Sequence, residues 1–445
     1  MQSLVTPVGY SADSCGYCKD ASSGRRTSNS RASYHILSRS LSVDVYQGLV
    51  DRGWRRSGTT FYKPDVLRHC CPHYTVRLPA ASFAPTKEHR QAVNRWNKHV
   101  LGDEYIKEAA KLYPKSKEEK IRLKNTFDLV DTTHESEYAN LKRPPEPAHR
   151  FEVTLELDTC TVEKFELFKN YQENVHREPP SQVSQEGFAH FLCGSPLQRT
   201  TATVDGKTQQ LGSFHQCYRY DGRLIAMGVL DLLPHCVSGV YFIYHSDFEK
   251  WSFGKLSALR EVTLTLQGGY QYYYMGYYIH SCPKMRYKGE YKPQYVLDPE
   301  TYDWNPLEGE LRQLLDTKKF VSLSRERRLK EAQAAPTNSD NDSEQDSLND
   351  YPLPTAAEAR DAVRNGMSLF DLKVPGVMTV EDIKKKVQLD DQAIKIEGWP
   401  GTRTGELSSW RAGNLRDPES LKGIVAELVA CIGPDVARQV TVGFY

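Results

Sequence analysis

Two sets of residues have the type and spacing to do chemistry. Ser14-Cys15-Gly16-Tyr17-Cys18 puts two thiols three residues apart around a glycine, and His69-Cys70-Cys71-Pro72-His73-Tyr74 supplies an adjacent pair much later. A Cys-x-x-Cys turn aims two thiolates at one ion, and a second pair completes a four-thiolate site for zinc or an iron-sulfur cluster. Because Cys70 and Cys71 are adjacent, the pattern is not a standard zinc ribbon, and His69 or His73 is an alternative donor. A redox-active Cys-x-x-Cys and unrelated free thiols are the competing readings. The second set centres on Asp231, set among Leu230, Leu232 and Leu233, where a carboxylate must find a cation or a donor to be tolerated. His235, just past Pro234, is a candidate proton relay. The plain alternative is an Asp capping the turn before Pro234 beside a packed His.

These groups need elements to hold them. Leu224–Leu230 and Gly239–Tyr244 are apolar runs separated by Pro234, Ser238 and Gly239, which predicts two buried strands joined by a turn. Ser246 and Asp247 are good N-caps, and Phe253, Leu256, Leu259 and Val262 recur at a helical period behind them. Asp221-Gly222 predicts a hairpin between Phe214–Tyr220 and the strand from Leu224. Phe151–Leu157 alternates as a half-buried strand, Thr161–His176 reads as a helix, and residues 86–123 as at least two helices. Leu41–Trp54 predicts a helix and Thr59–Lys63 a strand leading to the second cysteine pair. The fold class expected is α+β with a mostly antiparallel sheet. Gln267–Tyr291 carries eight tyrosines, suited to a strand pair that either packs its rings or offers them to a nucleotide or peptide.

The chain has 445 residues, 39% hydrophobic and 26% charged, enough for two or three domains. No signal peptide is visible at MQSLVTPVGY, and the longest apolar candidate span contains Asp231, Pro234 and His235, so no membrane span is expected. Ten cysteines without a secretion signal suit reduced thiols or metal ligands better than a disulfide framework. The net charge of +1 hides an asymmetry: residues 1–100 hold 15 Lys and Arg against 6 Asp and Glu, whereas residues 331–350 hold six acids and no base. A basic front end is compatible with a nucleic-acid partner, and equally with a solvated surface. Trp54 beside Arg55 and Arg56 suits either base stacking or, slightly better, a core plug.

CGYC at 15–18, HCCPHY at 69–74, GVLDLLP at 228–234, SGVYFIYHSDFEKWSFGKLSALREV at 238–262 and YYYMGYYIHSCPKMRYKGEY at 272–291 together resemble the arginyl-tRNA protein transferases. The resemblance spans about two thirds of the chain, from the cysteine module to the tyrosine-rich block. It implies a GNAT-like, Fem-related acyltransferase domain, an N-terminal cysteine-rich module binding zinc or an iron-sulfur cluster, and arginyl-tRNA as co-substrate. It also implies transfer of arginine to proteins beginning with Asp, Glu or oxidised Cys, a link to ubiquitin-ligase components, and a location in the cytoplasm with the nucleus as an alternative. The division expected is a cysteine module at 1–85, a helical connector at 86–145, a catalytic domain at 146–330, an acidic disordered linker at 331–350 and a C-terminal extension at 351–445. The extension resembles those of fungal members and matches no motif of known role. Its last stretch, Ser420–Val436, has the spacing of an amphipathic helix.

Within that resemblance, Cys15, Cys18, Cys70 and Cys71 are the implied metal ligands. Asp231 is the candidate to hold or deprotonate the acceptor ammonium, or to bind the arginyl guanidinium, with His235 as relay. Arg219, Lys284 and Arg286 are candidates for the acceptor's acidic side chain. Tyr244 can offer a hydroxyl to either substrate, and Lys255 can meet the 3′-terminal phosphates of tRNA. Two other function classes remain: an acetyl-CoA-dependent GNAT enzyme, for which only Gly254 is present where a glycine-rich pyrophosphate loop is needed, and a non-catalytic module binding acidic N-termini or RNA.

Overall fold

A computed structural model describes residues 2–20, 22–334, 354–398 and 400–444. Among the described residues sixteen strands follow in this order: β1 Ser3–Asp13, β2 Arg31–Ser40, β3 Arg55–Ser57, β4 Thr60–Pro64, β5 Tyr74–Pro79, β6 Phe151–Leu157, β7 Thr200–Val204, β8 Lys207–Tyr220, β9 Arg223–Leu233, β10 Cys236–Tyr244, β11 Tyr272–Tyr278, β12 Tyr295–Leu297, β13 Trp304–Pro306, β14 Ala393–Ile396, β15 Thr402–Arg403 and β16 Val440–Phe444. With the helices between them the protein is of mixed α+β class. It forms two compact units: Met1–Val76 with Tyr277–Glu290 and Gln294–Tyr445, and Arg77–Gly276 with Tyr291–Pro293. No helix among the described residues is long and apolar enough to cross a membrane.

The first unit is built on a seven-stranded sheet ordered β15-β14-β16-β1-β2-β4-β3. Its C-terminal strand β16 lies parallel to β1, Ser3 opposite Val440, so residues expected as a separate extension complete the sheet begun by the N-terminus. The helix Val43–Val50 starts where Ser42 Oγ accepts from the Val45 N–H. Trp54 follows it with no exposed surface, its indole donating to the Cys431 carbonyl at 3.3 Å, which makes it a core residue and not a stacking platform. Arg55 and Arg56 are buried as well. The predicted amphipathic helix is found at Leu421–Ile432, but Val425 to Ile432 are all buried: it is a core helix with no polar face along that run.

The second unit carries the sheet β11-β10-β9-β8-β6, with β7 added to the outer part of β8. All its pairs are antiparallel except β10 with β11. Leu224 to Leu233 are all buried because both sheet faces are covered, and that is why β9 reads as an apolar run interrupted only by Asp231. One face packs Trp96, Phe253, Leu256 and Leu259, the other Leu167, Phe168, Phe188 and Leu192. Asp221 and Gly222, with φ of 49° and 82°, form the predicted hairpin turn. The helix after β10 begins later than expected: Ser246–Trp251 is a 3₁₀ turn started by the His245 ring accepting from the Asp247 N–H, and the α-helix runs Phe253–Gln267. Phe253, buried against Trp96, fixes that start. The tyrosine block supplies one strand, β11, instead of a strand pair, and Tyr270, Tyr273, Tyr274, Tyr277, Tyr278 and Tyr291 are buried packing rings. The helix Leu323–Ala334 occupies the start of the segment expected as a linker, and the rest of it, 335–350, lies outside the described residues.

Candidate functional site

In the first unit the loop after β1 and the segment between β4 and β5 bring Cys15, Cys18, Cys70 and Cys71 together, all four Sγ atoms within 4.8 Å of one another. Cys18 and Cys70 are 3.5 Å apart. The scaffold holds the loop: the Cys15 N–H donates to Ser30 Oγ at 3.1 Å, and the Cys70 N–H to the Ser30 carbonyl at 2.9 Å. Ile279, Cys282 and Met285 pack behind the thiols. A hydrogen bond from the Cys70 thiol pulls Cys15 down to about 4, whereas burial, followed by the charge on Cys15, pushes Cys71 up to about 12. Four sulfurs this close together could hold a metal ion. The two histidines turn elsewhere. His69 and His73 face each other through their Nδ1 atoms at 2.5 Å, and His69 Nε2 lies 2.7 Å from the Ala32 carbonyl. The four candidate donors that cluster are all sulfur, and neither histidine is among them.

In the second unit Asp231 has no exposed surface and accepts from Ser213 Oγ at 2.5 Å. Register explains how it is tolerated: Ser213, Asp231, Ser238 and Tyr274 lie opposite one another across β8, β9, β10 and β11, forming a polar rung through an apolar sheet. Ser195 extends it, 2.5 Å from Ser213. At the β11 end Arg77 donates to the Tyr274 hydroxyl at 3.0 Å and lies over the Tyr272 ring at 3.9 Å. The His235 ring is 5.9 Å from Tyr272 and 6.4 Å from Tyr274, so His235 joins this tyrosine and arginine group. Asp231, expected to meet an acceptor ammonium, lies inside the sheet with Ser213 as its donor.

A second buried carboxylate escaped the sequence reading. Glu261, on the helix Phe253–Gln267, is 3% exposed and accepts from the Tyr273 hydroxyl. A side chain at Gly228 would meet its Oε1 at 3.2 Å, and one at Gly239 its Oε2 at 3.6 Å, so glycines on neighbouring strands make the slot that it fills. Beyond Ser238, β10 shifts register between Gly239 and Tyr241, and Gly239 to Phe242 are half-exposed.

The remaining candidates are scattered. Arg219 is spoken for, pairing with Glu156 at 2.5 Å and Glu163 at 3.0 Å; burial raises Glu156, but hydrogen bonds from Arg219 and Thr154 outweigh it and bring it down to about 2. Tyr244 is half-buried with its ring edge-on to Tyr171 at 5.3 Å, and burial raises its hydroxyl pKa. Lys255, in the first turn of its helix, pairs with exposed Glu88 at 2.9 Å. In the other unit Lys284 and Arg286 are exposed, Arg286 pairing with Asp316 at 3.1 Å.

Comparison with known proteins covers both units. The family described as "Arginine-tRNA-protein transferase, N terminus" matches residues 13–91, which include all four clustered cysteines. Its C-terminal counterpart matches residues 163–298, which include Asp231 and Glu261. An arginyl-tRNA–protein transferase 1 of Arabidopsis thaliana is 28% identical over 73% of this chain and 76% of its own length. Its namesake in Saccharomyces cerevisiae is 34% identical over 58% of this chain and 50% of its own. An aspartate/glutamate leucyltransferase of Pseudomonas putida is 28% identical over 58% of this chain and 81% of its own.

Proposed function

This chain belongs to the arginine-tRNA-protein transferase family, and from that premise we propose that it moves arginine from arginyl-tRNA to the α-amine of proteins beginning with Asp, Glu or oxidised Cys, marking them for ubiquitin-dependent degradation. The observation that carries the reading is the presence of both family halves in one chain, one around the four-thiol cluster and one around the carboxylate-bearing sheet. The parallel β10–helix–β11 unit with its bulge supports an acyltransferase domain similar to the GNAT and Fem enzymes.

The reaction asks little of the protein beyond placement. The neutral α-amine attacks the ester carbonyl carbon of the arginyl group, the tetrahedral intermediate collapses, and the 3′-terminal ribose oxygen leaves with a proton as the amide forms. With an α-amino pKa near 8, roughly a tenth of acceptor amines are neutral at about pH 7, so alignment is the larger demand. In this proposal Asp231 is a positioning residue, holding Ser213 at one end of the polar rung whose other end is Tyr274 and Arg77. Glu261 and Tyr273 set the bulge at Gly239 from below. His235, half-buried beside Tyr272, is the candidate to carry the amine's proton. Exposed ion pairs such as Lys255–Glu88 and Arg286–Asp316 are weak in water, so they yield readily to phosphate or to an acidic side chain. Arg219, locked between two carboxylates, is the poorest of the four cations for that task.

For the thiols we propose one zinc ion, which Cys15, Cys18, Cys70 and Cys71 would hold. At a Zn–S distance of about 2.3 Å the sulfurs of a tetrahedron stand about 3.8 Å apart. The observed crowding suits that spacing better than a multi-iron cluster, whose thiolates are spread around a larger body. A closed four-thiolate site leaves no open position and serves to tie residues 15–18 to residues 70–71.

The deciding assay presents labelled arginyl-tRNA with a peptide starting with Asp and with the same peptide starting with Ala. Label on the first alone is the expected result. Equal labelling of both, or none on either, would remove the acceptor assignment.

A further inference from the structure

The first unit contains a pocket that the transfer reaction does not use. Arg52, Lys63, Thr75 and Tyr302 line this small space, Pro299 and Pro375 help to close it, and no carboxylate is among its lining residues. Lys63 projects from β4 with 5% exposure, and its Nζ donates to the Arg52 carbonyl at 3.0 Å, leaving two of about three ammonium protons undirected. Among the described residues neither Lys63 nor Arg52 has a carboxylate partner. Arg52 Nε and Thr75 Oγ1 are both buried without a hydrogen-bond partner. Two cationic side chains and a threonine therefore line one small space that holds no carboxylate.

The pocket is also built, not left over. The Tyr302 ring stands between the cations, 4.3 Å from the Arg52 guanidinium and 4.9 Å from Lys63 Nζ. Tyr302 adopts φ of 65°, a left-handed conformation that bulky residues rarely take, and its hydroxyl donates to the Gly376 carbonyl. Backbone strain of this kind persists where the surroundings over-determine it, and it gathers at ligand clamps. Any Cβ at residue 376 would lie 2.3 Å from the Tyr302 hydroxyl, so glycine is needed there for the ring to be seated. Two cations gathered without an anion are costly to fold, and an anion of the right size removes that cost.

We propose that this pocket binds one small oxyanion, a carboxylate or phosphate group, between Arg52 and Lys63 with the Thr75 hydroxyl as third donor. It is a site additional to the transfer chemistry and shares no residue with the positions assigned to it above. The space suits a single planar or tetrahedral group and not a nucleoside.

The test uses the full chain and follows Tm as inorganic phosphate or acetate replaces chloride at fixed ionic strength, which holds general screening constant. A saturable rise with at least one of them is expected. A response to phosphate alone assigns a phosphate ligand, and one to acetate alone a carboxylate ligand. Thr75→Val should raise the Tm of the ligand-free protein, because it removes an orphaned hydroxyl, while raising the half-saturating concentration at least fivefold. Lys63→Met should raise it at least tenfold, and Thr75→Val carries the test if Lys63→Met does not fold. A response no larger than that to chloride, or an unchanged half-saturating concentration in Thr75→Val, overturns the proposal.

Discussion

At the scale of single residues, Asp231 shows what a sequence does and does not disclose. Its oddity is legible, because a carboxylate among Leu230, Leu232 and Leu233 breaks an apolar run. Its partners are not, since Ser213 and Ser238 come opposite it through strand register, which turns and bulges fix over many residues. For the same reason Gly228 and Gly239 read as ordinary strand glycines, although they make the slot for Glu261. The four cysteines, by contrast, announce themselves through spacing, because a turn that aims two thiolates is a local feature. The burial of Asp231 yields a prediction. Asp231→Asn keeps an acceptor oxygen for Ser213 but loses the charge, and should cost about 1–3 kcal/mol of stability, read from urea unfolding. Its kcat/KM should fall while the pH profile keeps its shape, as befits a positioning group. Disappearance of the acid limb of that profile would return Asp231 to a direct part in proton transfer.

Among the elements, those with a local cause are found where the sequence puts them. β6 spans the predicted Phe151–Leu157, and the β8–β9 hairpin turns at Asp221-Gly222. The helix after β10 starts late because tertiary packing of Phe253 overrides two good capping residues, Ser246 and Asp247. Lys87–Leu112 is two helical segments broken at Gly102, where φ is 77°, and the first depends on an unusual cap. Thr86 Oγ1 accepts from the His89 N–H, and the His89 ring accepts from the Thr86 N–H at 3.2 Å, so His89 Nδ1 must be unprotonated. Burial, then the nearby charge of Lys255, lowers His89 to about 4. A group whose folded pKa is depressed gives stability that is present above its unfolded value near 6.5 and lost as pH falls through the folded one. Between pH 6.5 and about 4 the wild type should therefore lose Tm faster than His89→Gln, whose amide oxygen can serve as the acceptor at any pH. Parallel curves for the two proteins over that window would show that the cap does not titrate.

At the scale of the whole molecule, the least legible feature is the use of the C-terminus, because nothing local in residues 354–444 says which strands they will join. β16 pairs with β1, β14 pairs with β16, and the helix Leu421–Ile432 buries its apolar run in the unit that also holds the thiol cluster. A chain ended after Ala334 would strip β1 of a neighbour, leaving an unpaired edge, and would uncover Trp54, whose indole has its partner at Cys431. Loss of packing around one buried Trp alone is worth about 3–5 kcal/mol, a large part of the stability of an ordinary domain. Because four-thiolate zinc binding is coupled to folding, metal should report the damage. Purified without oxygen, the full chain is expected to hold about one zinc per molecule with no visible iron-sulfur absorption, as a single tetrahedral site requires. The shortened chain should lose most of that zinc and associate in solution through its open edge. If it stays monodisperse, keeps its metal and melts as the full chain does, residues 354–444 are an ornament on the first unit; the paired β1 and the sealed Trp54 argue that they are part of its core.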